Sequence, residues 1–517
     1  MLIRRMAALA AIMALLIGCS TNKGPQQPVD TPPEPPPVQA APPAAYDIVI
    51  RGGLVVDGTG RPGVSADVAI NGTKIAFVGK LWQYTARVEV DAKGMVVAPG
   101  FINPHSHTHD FINPFEDLDA TASLMQGITS EFGGVDGRSP LPVGQELDRL
   151  AQAGTGVNFG LYVGQGSVRE KVMGSRQGPA GPAELEAMKG LVRQAMEEGA
   201  FGVSTGLEYI PGRYGSQAEI TQLVAVSQPY GGIYSTHTRS EGDQIVEALQ
   251  EALAIGRDAG VTTNLAHFKI VKYPNWGKED QVVKLVEQAI GQGQKVFADV
   301  YPYLAPDYAI NRPLGEWAGA LPPEYLVITR ASDASVVGKT VAEVARARNL
   351  AAGDAVAQLS ADKGLAVVAL IASEKAMLRF YAAPWSVAST DGEAQPKLNT
   401  AAEALRYAFH RRSYGSYPML LGHYVRERNV LPLESMIRKM SGSVADYVGL
   451  KDRGYLKAGQ AADIVVFDPN TVADRTSWTS PQEYPAGIRH VYVNGTVAVQ
   501  DGQRVPGRPG QVLRLGK

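Results

Sequence analysis

PGFINPHSHTHD, residues 99–110, places three histidines at alternate positions directly behind MVVAPGFI (95–102), a run that reads as a buried strand. The chain holds only 8 histidines in 517 residues, so three within five positions mark a concentration of chemistry. Residues at i and i+2 on extended backbone point the same way, and His105 and His107 can therefore reach one ion. His109, third in the row, stays open between ligand, supporting residue and loop.

Outward from this strand, seven further β-like runs follow: GITSEFGG from 127, VNFGLYVG from 157, AFGVSTG from 200, GIYSTH from 232, TTNLAH from 262, KVFADV from 295 and WSVAST from 385. Helical patterns separate them. In SEGDQIVEALQEALAIGRDAG (240–260), Ile245, Leu249 and Leu253 recur at helical spacing, with Asp243 as the expected N-cap and Gly260 as the stop. Eight strands alternating with helices predict an α/β fold, a (β/α)8 TIM-like barrel over residues 99–451. The interval 301–384 is too long for one helix and is expected to hold an inserted helical cap over the barrel mouth.

The flanks have another texture. YDIVIRGGLVVDG (46–58), ADVAINGTKIAFVG (66–79) and ARVEVDAKGMVVAPG (86–100) are short alternating β runs divided by turn residues, and GQAADIVVFDP (459–469) and IRHVYVNGTVAVQDGQRV (488–505) repeat the pattern. A composite β-sandwich formed by both ends of the chain, 46–98 plus 452–517, accounts for both. Before it, MLIRRMAALAAIMALLIGCS reads as a secretory signal over residues 1–18, too short in its apolar part to span a bilayer. Its end, LIGC, resembles the bacterial lipobox; this implies a lipid anchor on Cys19, the only cysteine, and Ser20 behind it implies the outer membrane, facing the periplasm. Residues 19–45 are proline-rich and expected to be a disordered tether. With 49 basic and 51 acidic residues, nothing points to nucleic acid; a small ligand fits better. The oligomeric state is not written in the sequence.

In a barrel the chemistry sits at the C-terminal ends of the strands. His105 and His107 follow strand one, His237 ends strand five, His267 ends strand six, and Asp391 follows strand eight. Four imidazoles and a carboxylate on one rim suit Zn2+, one or two ions, with open positions for water. His410, His423 and His490 have no comparable context.

PGFINPHSH, EEGAFGVSTGLEYIPGRYGS, GGIYSTHTRSEGD, AHFK, DVYPY and LKAGQAADIVVFDP together resemble the amidohydrolase superfamily, and within it the D-aminoacylase or N-acyl-D-amino-acid deacylase group, from about Tyr46 to Val505. The resemblance implies a zinc-dependent hydrolase of N-acyl-D-amino acids. His237 and His267 would hold the principal zinc, His105 and His107 a second position, and Asp391 would be the catalytic base and acid. The family's bridging cysteine is absent; EFGGVDGRSP stands there, with Asp136 as its replacement and Glu131 as the alternative. Gln165 occupies a position where the family often has histidine, and is expected to hydrogen-bond the substrate.

The free carboxylate of an N-acyl amino acid needs a cation at the barrel mouth. Lys269, two residues beyond His267, is the first candidate; the resemblance adds Tyr301 and Arg412, while Tyr303 and Arg239 stay unassigned. Rival functions are a D-residue dipeptidase, a cyclic-amide hydrolase, and a non-catalytic surface-binding lipoprotein. Cyclic-amide hydrolases bridge their metals with a lysine ending strand four, where this chain has Ser204 and Thr205.

Overall fold

The computed structural model describes residues 44–108, 117–393, 396–400, 403, 407 and 409–516; the signal, Cys19, most of the tether and His109 lie outside them. The chain begins with β1 (Ala44–Val55), β2 (Val64–Asn71), β3 (Lys74–Gly79), β4 (Tyr84–Asp91) and β5 (Val96–Pro99). β1, β2 and β3 pair antiparallel in sequence, while β4 and β5 lie parallel to successive halves of β1.

The next strands are β6 (Phe101–Asn103), β7 (Ile128–Gly133), β8 (Asn158–Leu161), β9 (Val163–Gly164), β10 (Gly202–Gly206), β11 (Ile233–His237), β12 (Thr263–Leu265) and β13 (Val296–Val300). β8 and β9 are halves of one run, interrupted at Tyr162, whose N–H bonds to Gly133 O at 3.0 Å. After an insertion carrying β14 (Arg312–Pro313), β15 (Leu326–Arg330) and β16 (Ala366–Ala369), β17 (Ser386–Ala388) completes eight parallel runs in chain order. Ser106 and Gly392 form a parallel bridge, and His107 N–H bonds to Gly392 O at 2.8 Å, so the end of the last run meets the end of the first. This is the TIM-like order read from the sequence. β7, β10, β11 and β13 are buried along their whole length, as strands covered by helices must be.

Two local expectations change. Ile245, Leu249 and Leu253 are buried along the helix Ile245–Ala259, and Gly260 ends it at φ 71°, but the N-cap is Gln244. Asp243 accepts instead from Lys272 and Asn275, because the loop after β12 brings two donors to its carboxylate. The insertion is not purely helical: β14, β16 and β15 form an antiparallel sheet packed on the helices Val341–Ala347 and Ala352–Ser360 through Leu326, Ile328, Val344 and Val367. It joins the rim through Val271–Ala372 pairing beside the loop that follows His267.

The chain then adds β18 (Ile464–Phe467), β19 (Ile488–Val493), β20 (Thr496–Gln500) and β21 (Gln503–Arg504), which continue the first sheet through antiparallel pairing of β18 with β5. Strand alternation makes these two strands a shared wall. Val97, Ile464 and Val466 face a core with Ile50, Val68 and Tyr492, whereas Val96, Ala98, Val465 and Phe467 face the core of the eight-stranded unit with Phe101 and Leu265. The turn at Asn494–Gly495 has both residues at positive φ, and a Cβ on Gly495 would stand 2.0 Å from Gly72 O, so the two NG hairpin tips stack. Residues near the C-terminus leave the sheet: Phe159 N–H bonds to Gln511 O, and Leu513 N–H to Phe159 O.

Phe467 is fully buried in the wall, its ring 6.5 Å from that of Phe101. Phe467→Ala is expected to destabilise the protein by about 3–5 kcal/mol. A thermal melt should show a marked drop in midpoint, with none for Val88→Ala on the exposed face of β4.

Candidate metal centre

The ends of β6, β7, β11, β12 and β17 converge, bringing two groups of ligand atoms together. One comprises His105, His107, Asp136 and Asp391, the other Asp136, His237 and His267; within each, the atoms lie within 4.8 Å of one another. Asp136 belongs to both. Its Oδ1 is 3.6 Å from His105 Nε2 and 3.4 Å from His267 Nε2; its Oδ2 is 3.7 Å from His107 Nε2 and 3.6 Å from His237 Nδ1. Asp391 Oδ1 stands 3.3 Å from His105 Nε2 and 3.2 Å from His107 Nε2.

Local backbone explains how one carboxylate reaches four imidazoles. Asp136, His267 and Asp391 all take left-handed φ, of 52°, 35° and 51°. Such strain costs about 1–3 kcal/mol per residue and persists where surrounding packing enforces it. Beside Asp136, Gly137 has φ 73°, and a Cβ there would lie 2.7 Å from Gly206 N. The turn that aims Asp136 is therefore pressed against the end of β10.

These separations test the fit of a metal. At 3.2–3.7 Å they lie at or beyond the long end of hydrogen-bond lengths, and bonds of about 2.0 Å to a tetrahedral ion put ligand atoms roughly 3.3 Å apart. Both nitrogens of His105 and of His237, and Asp136 Oδ1, are buried without a hydrogen-bond partner among the described residues. A donor set of imidazoles and carboxylates suits Zn2+, and His105 Nε2 and His237 Nδ1 turn toward Asp136, where an ion would sit between them. Without an ion, protons compensate the charge. Burial disfavours the imidazolium of His105, but Asp299 and Asp136 raise its pKa to about 9; His237, also opposed by burial, is raised to about 10 by Glu241 and Asp136. Burial alone would push the Asp136 carboxyl up, yet His267 and His105 hold it well below the usual carboxylate range.

Each buried imidazole also has a carboxylate on its outer nitrogen. His267 Nδ1 is 2.9 Å from Glu241 Oε1, His237 Nε2 is 3.5 Å from Glu208 Oε2, and His105 Nδ1 is 3.7 Å from Asp299 Oδ2. Such partners fix which nitrogen is offered inward. Asp299 also accepts from His267 N–H at 3.0 Å and Asn264 Nδ2 at 2.8 Å, tying β12 to β13.

Lys269, Tyr301 and Arg412 line up beside this centre. Lys269 Nζ is 2.6 Å from Glu241 Oε1 and 5.5 Å from the Tyr301 ring centroid, and the Arg412 guanidinium lies 5.2 Å from the same ring. Tyr301 Oη is buried without a partner among the described residues. Arg412 Nη1 donates to Asp391 Oδ2 at 2.5 Å. The Gln165 amide lies against Gly212 and Gly215, with neither polar atom partnered among the described residues. Glu131 is held by Ser123 Oγ at 2.7 Å and Asn103, and belongs to neither ligand group. Tyr303 donates to Asp474, and Arg239 is spent on Glu251, Arg213 O and Gly215 O. Ser204 and Thr205 hydrogen-bond to Gly134 O and Thr236, so the end of β10 offers structural hydroxyls.

Sequence reasoning missed Glu208, Glu241, Asp299, Asp307 and His410. Glu208, Glu241 and Asp299 sit inside the quoted GLEYIPGRY, THTRSEGD and DVYPY blocks, which was the available signal. His410 had none. It is buried, receives Arg412 N–H on Nδ1 at 2.9 Å and meets Ala305 O through Nε2 at 2.6 Å; burial and Arg412 keep it neutral, its pKa well below the usual imidazole value.

The Amidohydrolase family model matches residues 164–499. The chain is 33% identical over 492 residues to a D-aminoacylase of Alcaligenes xylosoxydans xylosoxydans, covering 90% of this chain and 97% of that protein. It is 34% identical over 495 residues to an N-acyl-D-glutamate deacylase of the same organism, covering 90% and 96%. Among solved structures, an N-acyl-D-glutamate deacylase from Bordetella bronchiseptica, complexed with zinc and a phosphonate mimic of the tetrahedral intermediate, superposes with a TM-score of 0.75 at 32% identity, covering 91% of this chain and 99% of that one.

Asp136→Ala removes the ligand common to both groups and should weaken metal binding by more than about 100-fold, while Glu131→Gln leaves it intact. Calorimetry with Zn2+ would check this. Because ions must expel protons from His105 and His237, the wild-type affinity should rise with pH until about 9 to 10.

Proposed function

The chain belongs to the amidohydrolase family, and from that premise we propose that it hydrolyses the amide bond of N-acyl-D-amino acids with Zn2+ held by His105, His107, His237, His267, Asp136 and Asp391. One observation carries the reading: Asp391 shares the ligand cluster with Asp136, and its Oδ1 lies 3.3 Å from His105 Nε2, which has no hydrogen-bond partner among the described residues. Bound there, the cation supplies Lewis-acid polarisation of the amide carbonyl and acidifies water.

The two oxygens of Asp391 divide the remaining work. Oδ2 is held by Arg412, which leaves Oδ1, beside His105 and His107, to take a proton from the attacking water and return it to the departing amine. Burial would raise the Asp391 carboxyl, but Arg412 and His267 hold it well below the usual range, so the base is ionised before attack. Lys269, Tyr301 and Arg412 form a cationic shelf around one phenol, suited to the carboxylate of the amino acid. Burial, partly offset by Lys269 and Arg412, raises the Tyr301 phenol to about 12, so it stays a hydrogen-bond donor.

Purified, zinc-loaded protein should release acetate from N-acetyl-D-amino acids and not from the L-enantiomers. Asp391→Asn should lower kcat by about 10²–10⁴-fold. Metal bound without turnover of either enantiomer would overturn the deacylase reading.

We propose also that the protein resides in the bacterial envelope, anchored through a lipid on Cys19, with residues 19–45 as the tether. The support is the residue order LIGCS behind a short apolar run. Among the described residues, no helix is long and apolar enough to cross a membrane. Labelled palmitate should enter the wild-type chain and not Cys19→Ala; label in both would refute the anchor.

A further inference from the structure

The chain itself fills the shelf assigned to the substrate carboxylate. Arg412, with only 4% of its side chain exposed, donates from Nη1 to Asp391 Oδ2 and from Nη2 to Asp307 Oδ2. The two acids differ in every other respect. Asp391 is buried, and its second oxygen is engaged with the histidine cluster. Asp307 opens the short 3-10 turn Asp307–Ala309 beyond the end of β13, beside the half-exposed Tyr308, and its own side chain is 48% exposed.

A buried guanidinium stripped of a partner is costly, so while the shelf is empty Asp307 supplies the second compensating charge. A ligand carboxylate arriving beside Lys269 and Tyr301 offers Arg412 an equivalent acceptor. Asp307, already half in water, then regains hydration by turning outward. A neutral ligand offers Arg412 no such replacement and leaves Asp307 in place. Resting on the deacylase reading for the location of the shelf, we propose that Asp307 is a displaceable stand-in for the ligand carboxylate, and that the site selects small organic anions by exchange at Arg412. Opening the pair is a toll on the binding of every anion, which lowers its apparent affinity by the fraction of molecules already open.

The test uses the metal-loaded full chain, its Asp307→Ala and Asp307→Asn variants, and two probes that are not turned over: isocaproate, and isocaproamide, which lacks the charge. Calorimetry should show isocaproate binding about tenfold tighter in both variants and isocaproamide unchanged. KM for N-acetyl-D-leucine should fall in parallel. Unchanged, weakened or undetectable isocaproate binding in the variants overturns the exchange. Tighter isocaproate binding without turnover upholds the exchange and sinks the deacylase reading; turnover with unchanged isocaproate affinity does the reverse.

Discussion

One buried carboxylate shared by four imidazoles governs the arrangement of this protein. Asp136 can serve both ligand groups only because its backbone turns left-handed against the end of β10, and the imidazoles reach it from the ends of β6, β11 and β12, in two different sheets. The charge at this point must be neutralised locally. Asp136, Asp391, Asp299 and Glu241 are all buried, and histidines, Lys269 and Arg412 answer them. Protons and metal ions are thus alternative counter-charges for one cluster, and the outer carboxylates keep each imidazole facing inward whichever is present.

The same electrostatics connect catalysis to recognition. Arg412 touches the proposed base and borders the proposed carboxylate shelf, so charge arriving on the shelf is felt at Asp391. His410 makes this possible as a neutral spacer: it anchors the Arg412 backbone while adding no cation to a crowded corner. Lys269 plays a matching part on the other side, joining Glu241 to the shelf and so to His267.

Much of this was legible because it rests on local pattern. Continuous apolar runs such as KVFADV announce strands buried on both faces, and His105, His107, His237, His267 and Asp391 stand at their ends, where a barrel collects its chemistry. What stayed hidden depends on partners distant in sequence. Asp299 and His410 act through other residues, and nothing in their neighbours says which imidazole or guanidinium they will meet. Asp243 shows the reverse error: a good capping residue was drawn away by Lys272 and Asn275 from the next loop. The sheet in the insertion was missed because VITR and AVVA are short and lie within a helical context.

The wall made by β5 and β18 bears on how the molecule is assembled. Pro99 pairs with Ile464, so the strand that leads into the first metal ligands has one edge without its partner until several hundred later residues have left the ribosome. Contacts of such long sequence separation slow folding and leave edges open to wrong pairing during synthesis. For this chain the N-terminal sheet is the vulnerable intermediate, and the docking of β18, not the emergence of the histidines, is the event that completes the wall behind the metal ligands.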